Sequence, residues 1–309
     1  HGENRIWREN HLIAGDLPSF DGLSLRYYHA AQPESDKARG CIVILHGFCG
    51  FSGKFHETME YFWKAGYDVF FLEQRGHGYS ERETDDKDLV HVRNYSDYTR
   101  DVKTFMDKVV IPNTTGLKRT LFGHSMGGAI AALFLEEFPE YFDSALLCSP
   151  MLELKLDMPK FLIHLLQAKV KLLHQENEPL QGGKRFNGVM DFPNSNMMSE
   201  PRLKYLFDQR IEDEHYQTNM ASNGWATASF RAMAKIQKNA EKVRIPVLLL
   251  SAGNDALVTE AGQESFAAKA KYTKIVKFPD AKHELFGGTV EIRKKFYSEI
   301  FDFLDEQNS

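Results

Sequence analysis

The stretch Gly123-His124-Ser125-Met126-Gly127 sets one serine between two glycines, with Gly128 directly after. A short apolar run, "KRTLF", precedes it, and "GGAIAALFLEEF" after it reads as a helix. Strand, tight turn and helix form the context in which G-x-S-x-G makes a strained elbow that lifts a hydroxyl above a sheet edge. Glycine two positions before and after removes Cβ atoms that would strike neighbouring backbone. The helix starting beneath the serine aims free N–H groups and a positive dipole end at any negative charge formed there. The same pattern also suits a plain glycine-rich turn with Ser125 as a helix cap, so the partners of the serine must decide.

A serine needs a base, and the base needs an orienting acid. On an elbow of this kind the chain order is serine, acid, histidine. "LLLSAGNDALV" ends a predicted strand and leaves Asp255 in the loop after it. "VKFPDAKHELF" does the same for His283. Both positions fall on the sheet edge expected for Ser125. Their structural alternatives are a turn aspartate and one surface histidine among twelve. Asp280 is a rival acid, ranked below Asp255 because it lies in the same short loop as His283. An oxyanion would be held by the N–H of Met126 and by one from the loop in "ILHGFCGFSG", assigned to Phe48, with Gly47 allowing close approach. His46, Gly47, Cys49 and His124 flank this centre and are expected to line the substrate site, although Cys49 also reads as structural filler.

These side chains must be carried by a sheet. "GCIVILHG" (40–47), "GYDVFFLE" (66–73), "KRTLFG" (118–123), "DSALLCS" (143–149), "IPVLLLS" (245–251) and "TKIVKF" (273–278) are short and mostly apolar throughout. Such runs suit parallel strands covered on both faces. Helices are predicted near 54–65, 97–110, 126–138, 261–271 and 289–306. The alternation predicts an α/β fold, a doubly wound and mostly parallel sheet. "SFDGLSLRYYHAA" alternates and reads as an antiparallel hairpin edge. The rhythm breaks at 151–235, which is assigned to a helical cap inserted after the sixth strand; 3–150 and 236–309 form the main domain. In the cap, 158–174 and 202–212 read as helical. Met158, Phe161, Leu162, Leu165, Leu166 and Leu173 give the first of these an apolar face. That face either holds a fatty acyl chain and touches lipid surfaces, or packs the cap onto the main domain. Lys155, Lys160, Lys169 and Lys171 could attract anionic head groups or simply be solvated.

The 309 residues allow one large domain or two units, and 42% hydrophobic residues suffice for a sizeable core. A net charge of −5 without long runs of one sign speaks against a nucleic-acid surface. Cys41, Cys49 and Cys148 lack metal or redox spacing and read as buried thiols in a reducing compartment. No apolar stretch is long enough to span a bilayer. The expectation is a cytoplasmic protein that contacts a membrane face at most through the cap. The opening His1-Gly2 reads as a trimmed or added terminus and is left aside.

"HGFCGFSGKF", "EQRGHGYSE", "GHSMGGAIAAL", "SAGNDALV" and "DAKHELF" together resemble the monoacylglycerol lipase and lysophospholipase branch of the α/β-hydrolases. The likeness covers about 20–150 and 240–309. The cap stretch 199–230 is similar to lysophospholipase L2-like proteins, which implies a bacterial origin. The resemblance implies an α/β-hydrolase fold and a serine ester hydrolase acting on monoacylglycerol or a lysophospholipid. It implies Ser125, Asp255 and His283 as the triad, with no metal and no cofactor. Two alternatives share the residues. One is a prolyl-type serine aminopeptidase, which would use Glu200, Glu212, Asp213 or Glu214 to hold a substrate ammonium. The other is a non-catalytic receptor for a small ligand.

Overall fold

The computed structural model describes residues 2–34, 38–156 and 158–308, and of Lys160 only the backbone. Eight strands form one sheet: β1 (Ile13–Pro18), β2 (Ser24–Ala30), β3 (Cys41–Leu45), β4 (Asp68–Leu72), β5 (Arg119–His124), β6 (Ser144–Cys148), β7 (Val247–Ala252) and β8 (Thr273–Phe278). Their order is β1-β2-β4-β3-β5-β6-β7-β8. The β1–β2 hairpin and the β2–β4 pairing are antiparallel; every other pairing in the sheet is parallel. This is the expected doubly wound sheet with an antiparallel edge.

The strands are apolar throughout because both faces are covered. Val43, Leu45, Leu121, Ala145, Leu147 and Leu249 fill a core on one face. Ile42, Ile44, Phe122, Leu146, Leu248 and Leu250 fill a second core on the other. The split follows the two-residue period of a pleated strand. Strand β8, at the edge, exposes Lys274 and Lys277 instead.

Helices α1 (Gly2–His11), α2 (His56–Lys64), α3 (Tyr95–Phe105), α4 (Met126–Glu137), α5 (Lys160–Leu172), α6 (Glu200–Glu212), α7 (Asn223–Asn239), α8 (Glu260–Lys269) and α9 (Val290–Asn308) surround the sheet. Two of them escape the sequence pattern. In α1 only Trp7 is buried, so no apolar stripe announces it. In α7 the inner face is Gly224, Trp225, Ala228, Ser229, Ala232, Met233 and Ile236, small residues that carry little hydrophobic contrast. These pack beside Ala129, Ile130 and Leu133 of α4 in the first core. The expected boundary at 235 therefore falls inside a helix that joins the main domain. Helix α3 passes through a π-helical turn at Met106–Val110, where a continuous helix to 110 was expected.

The loop "RGHGYS" after β4 is a structural knot. Arg75 is buried and forks onto Asp101 of α3, with Nε–Oδ2 at 2.6 Å and Nη2–Oδ1 at 2.7 Å. Its third nitrogen reaches Asp21 in the hairpin turn and Glu83. Removing one partner strands a buried charge. Asp101→Ala should therefore cost about 3–5 kcal/mol in denaturant unfolding, whereas the apolar pair Arg75→Met with Asp101→Leu should cost clearly less. Equal losses in the two variants would refute this account.

Candidate active site

Strand β5 delivers Ser125 into the turn before α4. The serine has φ +53° and ψ −117°, a left-handed conformation that side chains rarely adopt. Backbone contacts on all sides hold it there. Ser125 N–H donates to Cys148 O at 3.0 Å, and Ser125 O accepts from Gly128, Ala129 and Met151. At Gly123 a Cβ would lie 2.7 Å from Gly127 O and 2.8 Å from Gly128 Cα. At Gly127 it would lie 2.2 Å from Leu45 O and 2.6 Å from His46 O. These glycines let the elbow close on itself and press against the end of β3.

The loops after β7 and β8 bring Asp255 and His283 together. Asn254 N–H donates to Ala281 O at 3.0 Å and Gly253 N–H to Phe278 O at 2.9 Å, so the two loops are laced. Asp255 Oδ1 accepts from Leu257 and Val258 N–H at 2.8 and 3.1 Å. Its Oδ2 lies 2.6 Å from His283 Nδ1. Both side chains are buried. The rival Asp280 is exposed. His283 Nε2 is buried and, among the described residues, has no hydrogen-bond partner. Ser125 Oγ does not donate to it here. In sites without substrate this contact is commonly long, because the hydroxyl turns freely about χ1. His124 ties the elbow to the histidine: its ring lies 5.1 Å from that of His283, and its Nδ1 meets Cys148 O at 3.2 Å. Burial, reinforced by His283 and Lys54, holds His124 well below the ordinary imidazole range.

The loop after β3 lies opposite. Gly47 comes close: a Cβ there would sit 3.0 Å from Ser125 Cβ. Neither Phe48 nor Met126 donates its backbone N–H to an acceptor among the described residues. His46 Nδ1 lies 2.7 Å from Gly47 O, and its Nε2 accepts from Gln74 N–H at 3.0 Å. A carbonyl only accepts, so Nδ1 carries the proton and the imidazole is neutral. Burial, with His77 beside it, also holds His46 far below its usual range. Gly50 N–H reaches the same Gly47 carbonyl at 2.9 Å. Buried Glu73 accepts from Ser52 and Tyr79 N–H at 2.9 and 2.8 Å and clamps the loop from below. Cys49 has φ +54°, and desolvation pushes its thiol up to about 12.

Sequence reasoning did not single out Gln74, Glu73, Trp225 or the ion pair of partly buried Lys54 with buried Glu284 as parts of this site. Glu73 and Gln74 stand in "EQRGHGYSE", but only the fold brings them under the loop. Trp225 packs its ring 4.5 Å from that of Phe48.

The cap departs from expectation. Met158, Phe161, Leu162 and Leu165 were expected to line the substrate site. They are 42%, 63%, 38% and 61% exposed, and Leu166 and Leu173 are exposed as well. Of the four, Met158 lines a recess of about 660 Å³ beside α7, whose walls do not include Ser125. Helix α5 packs beside α7 yet leaves most of its apolar face exposed. Lys155 Nζ bonds Asp255 O at 3.4 Å and Lys169 and Lys171 are exposed; the side chain of Lys160 lies outside the described residues.

A family model described as serine aminopeptidase, S33 (Hydrolase_4) matches residues 36–289. The chain belongs to this family. It is a serine-type hydrolase of the α/β-hydrolase fold. The probable lysophospholipase L2 of Haemophilus influenzae is 25% identical over 288 residues, covering 93% of this chain and 90% of the relative. The monoacylglycerol lipase of Mycolicibacterium smegmatis is 31% identical over 143 residues, 46% of this chain and 47% of the relative. The crystal structure of Paleococcus ferrophilus monoacylglycerol lipase shares the fold at a TM-score of 0.70 and 24% identity, covering 92% and 99% of the two chains.

The strain at the elbow of this S33-family hydrolase is measurable. A non-glycine residue at such a φ costs about 1–3 kcal/mol. Ser125→Gly should therefore unfold at a higher temperature than Ser125→Ala, although both lose the hydroxyl; equal melting points would show that the turn is unstrained. Gly127→Ala should be destabilising by about 1–3 kcal/mol or more, as overpacking is, because its methyl meets fixed carbonyl oxygens. A neutral effect in thermal unfolding would refute that close approach.

Proposed function

We propose that the chain hydrolyses acyl-lipid esters through a covalent acyl-enzyme. Ser125 attacks the ester carbonyl, and His283 Nε2 takes its proton and returns it to the leaving alcohol. Asp255 holds the imidazole with its other nitrogen protonated. The carbonyl oxygen, now negative, is held by the N–H groups of Met126 and Phe48. Water then attacks the acyl-enzyme by the same route and releases the fatty acid. The observation that carries this reading is the buried Asp255–His283 hydrogen bond with Nε2 left unpartnered beside the strained serine turn.

The Phe48 donor is supported by the state of its own peptide. His46 Nδ1–H and Gly50 N–H both hold the Gly47 carbonyl. In a planar trans peptide the next N–H points the opposite way, so fixing Gly47 O fixes Phe48 N–H. His46 is thus a positioning residue, and Gln74 sets its tautomer.

The relatives' names favour monoacylglycerol or a lysophospholipid as substrate. The exposed apolar face of α5, with Lys155, Lys169 and Lys171 near it, supports contact of the cap with a lipid surface. No helix among the described residues is long and apolar enough to cross a membrane. The aminopeptidase alternative has less support. Asp213 accepts from Tyr79 and His215, and Glu214 pairs with Lys87, so neither is poised for a substrate ammonium.

Ser125→Ala should abolish turnover of p-nitrophenyl acyl esters and labelling by a fluorophosphonate while the melting curve stays cooperative. Activity within about tenfold of wild type would reject the nucleophile, since loss of such a residue costs far more. A proline anilide should not be turned over. The base works only when neutral, so the rate should fall as pH drops through mild acid. His46 and His124 stay neutral in that range. The acid limb of log kcat/KM should therefore have a slope of about one, a single proton. A flat profile between about pH 5 and 8 would exclude a histidine base.

A further inference from the structure

Phe48 and Lys54 share the loop after β3, and Glu284 follows His283 in the loop after β8. One loop carries the proposed oxyanion donor and the other the proposed base. An ion pair joins them: Lys54 Nζ lies 2.5 Å from Glu284 Oε1, with the two side chains 16% and 9% exposed. Both ends are fixed. Lys54 belongs to the 3-10 turn Ser52–Phe55 before α2, and its N–H donates to Phe51 O at 3.1 Å. Glu284 N–H donates to Asn196 O at 3.2 Å, and Glu284 O accepts from Gly287 N–H at 2.9 Å. Glu284 Oε2 is buried and has no hydrogen-bond partner among the described residues. A buried ion pair seldom adds stability over an apolar pair of similar size. The place of this one, between the two loops of the reaction centre, points to another use.

The pair also acts on the groups around the base. After burial and His283, Lys54 is a further cause that holds His124 below the usual imidazole range, and the His124 ring lies 5.1 Å from that of His283. After burial, Glu284 is a further cause that pushes the Cys148 thiol up beside the same elbow. The other titratable groups near His283 are committed elsewhere. Asp255 bonds its Nδ1, and His124 stays neutral. Lys155 donates to Asp255 O, and Lys282 donates to Pro193 O and Ser195 O. Asp280 is exposed.

We propose that Lys54 and Glu284 are positioning residues for the ester hydrolysis: their ion pair ties the loop of Phe48 to the loop of His283 and cancels the charge of the carboxylate that follows the base. The proposal rests on the acyl-ester hydrolase reading and adds two residues to it. The signs follow from electrostatics. A carboxylate left alone beside the imidazole favours its protonated form, and an ammonium left alone disfavours it. Without either charge the balance returns, but the tie between the loops is gone.

The test compares Lys54→Met, Glu284→Gln and the double change in the full chain. The acid limb of log kcat/KM should move to higher pH in Lys54→Met and to lower pH in Glu284→Gln, by about 0.5 unit or more in each. The double change should restore the limb to its wild-type position while the plateau of kcat/KM stays about tenfold down. It leaves no buried charge unpaired, so it is also the variant that keeps its fold if a single change does not. The ring titration of His283, followed by NMR of histidine-labelled chain and assigned by its loss in His283→Gln, should move with the acid limb. A limb and a ring titration that stay put in the cooperatively folded single variants, or that move in one direction in both, would overturn the proposal. A plateau within about twofold of wild type in the double variant would overturn the tie. The ring titration does not need turnover, and fluorophosphonate labelling of Ser125 reports on the hydrolase reading by itself, so the two failures are distinct.

Discussion

Around Gly127, backbone lies against backbone. The absent side chain lets the first turn of α4 sit against the carbonyl oxygens of Leu45 and His46 at the end of β3. Two neighbouring parallel strands, β3 and β5, thereby end at the same level with their following loops in contact. The serine turn and the loop bearing Phe48 meet only because of this approach. A methyl group there would part them and open the space in which an oxyanion must be gripped.

The remaining parts of the site brace that contact. Ser125 is held in a left-handed conformation by hydrogen bonds at both its N–H and its carbonyl. The loop after β3 is held from beneath by Glu73 and Gln74, which themselves sit on the loop pinned by Arg75 to α3 and to the β1–β2 turn. Buried ions and buried neutral imidazoles recur along this path. Each has nearly all its partners fixed, which is how polar groups are accommodated inside a core. His283 Nε2, on which the proposed chemistry depends, is left without a partner among the described residues, as are Gln74 Oε1 and His77 Nε2 nearby. A buried acceptor without a partner is poorly satisfied at rest and well placed to take a proton.

The cap divides into a firm part and an open one. Near α6, Met198 and Ser199 N–H groups bond Gly287 O, and Arg202 meets Glu57, so this part is stitched to the main domain beside His283. Helix α5 instead shows leucines and a phenylalanine to solvent.

The sequence by itself determined the sheet, its parallel core and the hairpin edge, because strands buried on both faces must be apolar at every position. It also singled out Ser125, Asp255 and His283, because a nucleophile turn and the loops after two later strands have local signatures in glycine, aspartate and histidine. The tertiary structure alone decided how Asp255 reaches the imidazole: the laced loops bury it against His283 and leave Asp280 exposed. It alone put Glu73 and Gln74 beneath the loop after β3 and Trp225 against Phe48. It also turned the apolar stripe of α5 outward. An apolar stripe records that a helix has a face to cover, and what covers it depends on neighbours that local sequence does not specify. Helices α1 and α7 show the converse: one buried tryptophan in α1 and a buried face rich in glycine, alanine and serine in α7 give little hydrophobic contrast, and their places are fixed by the surfaces they meet.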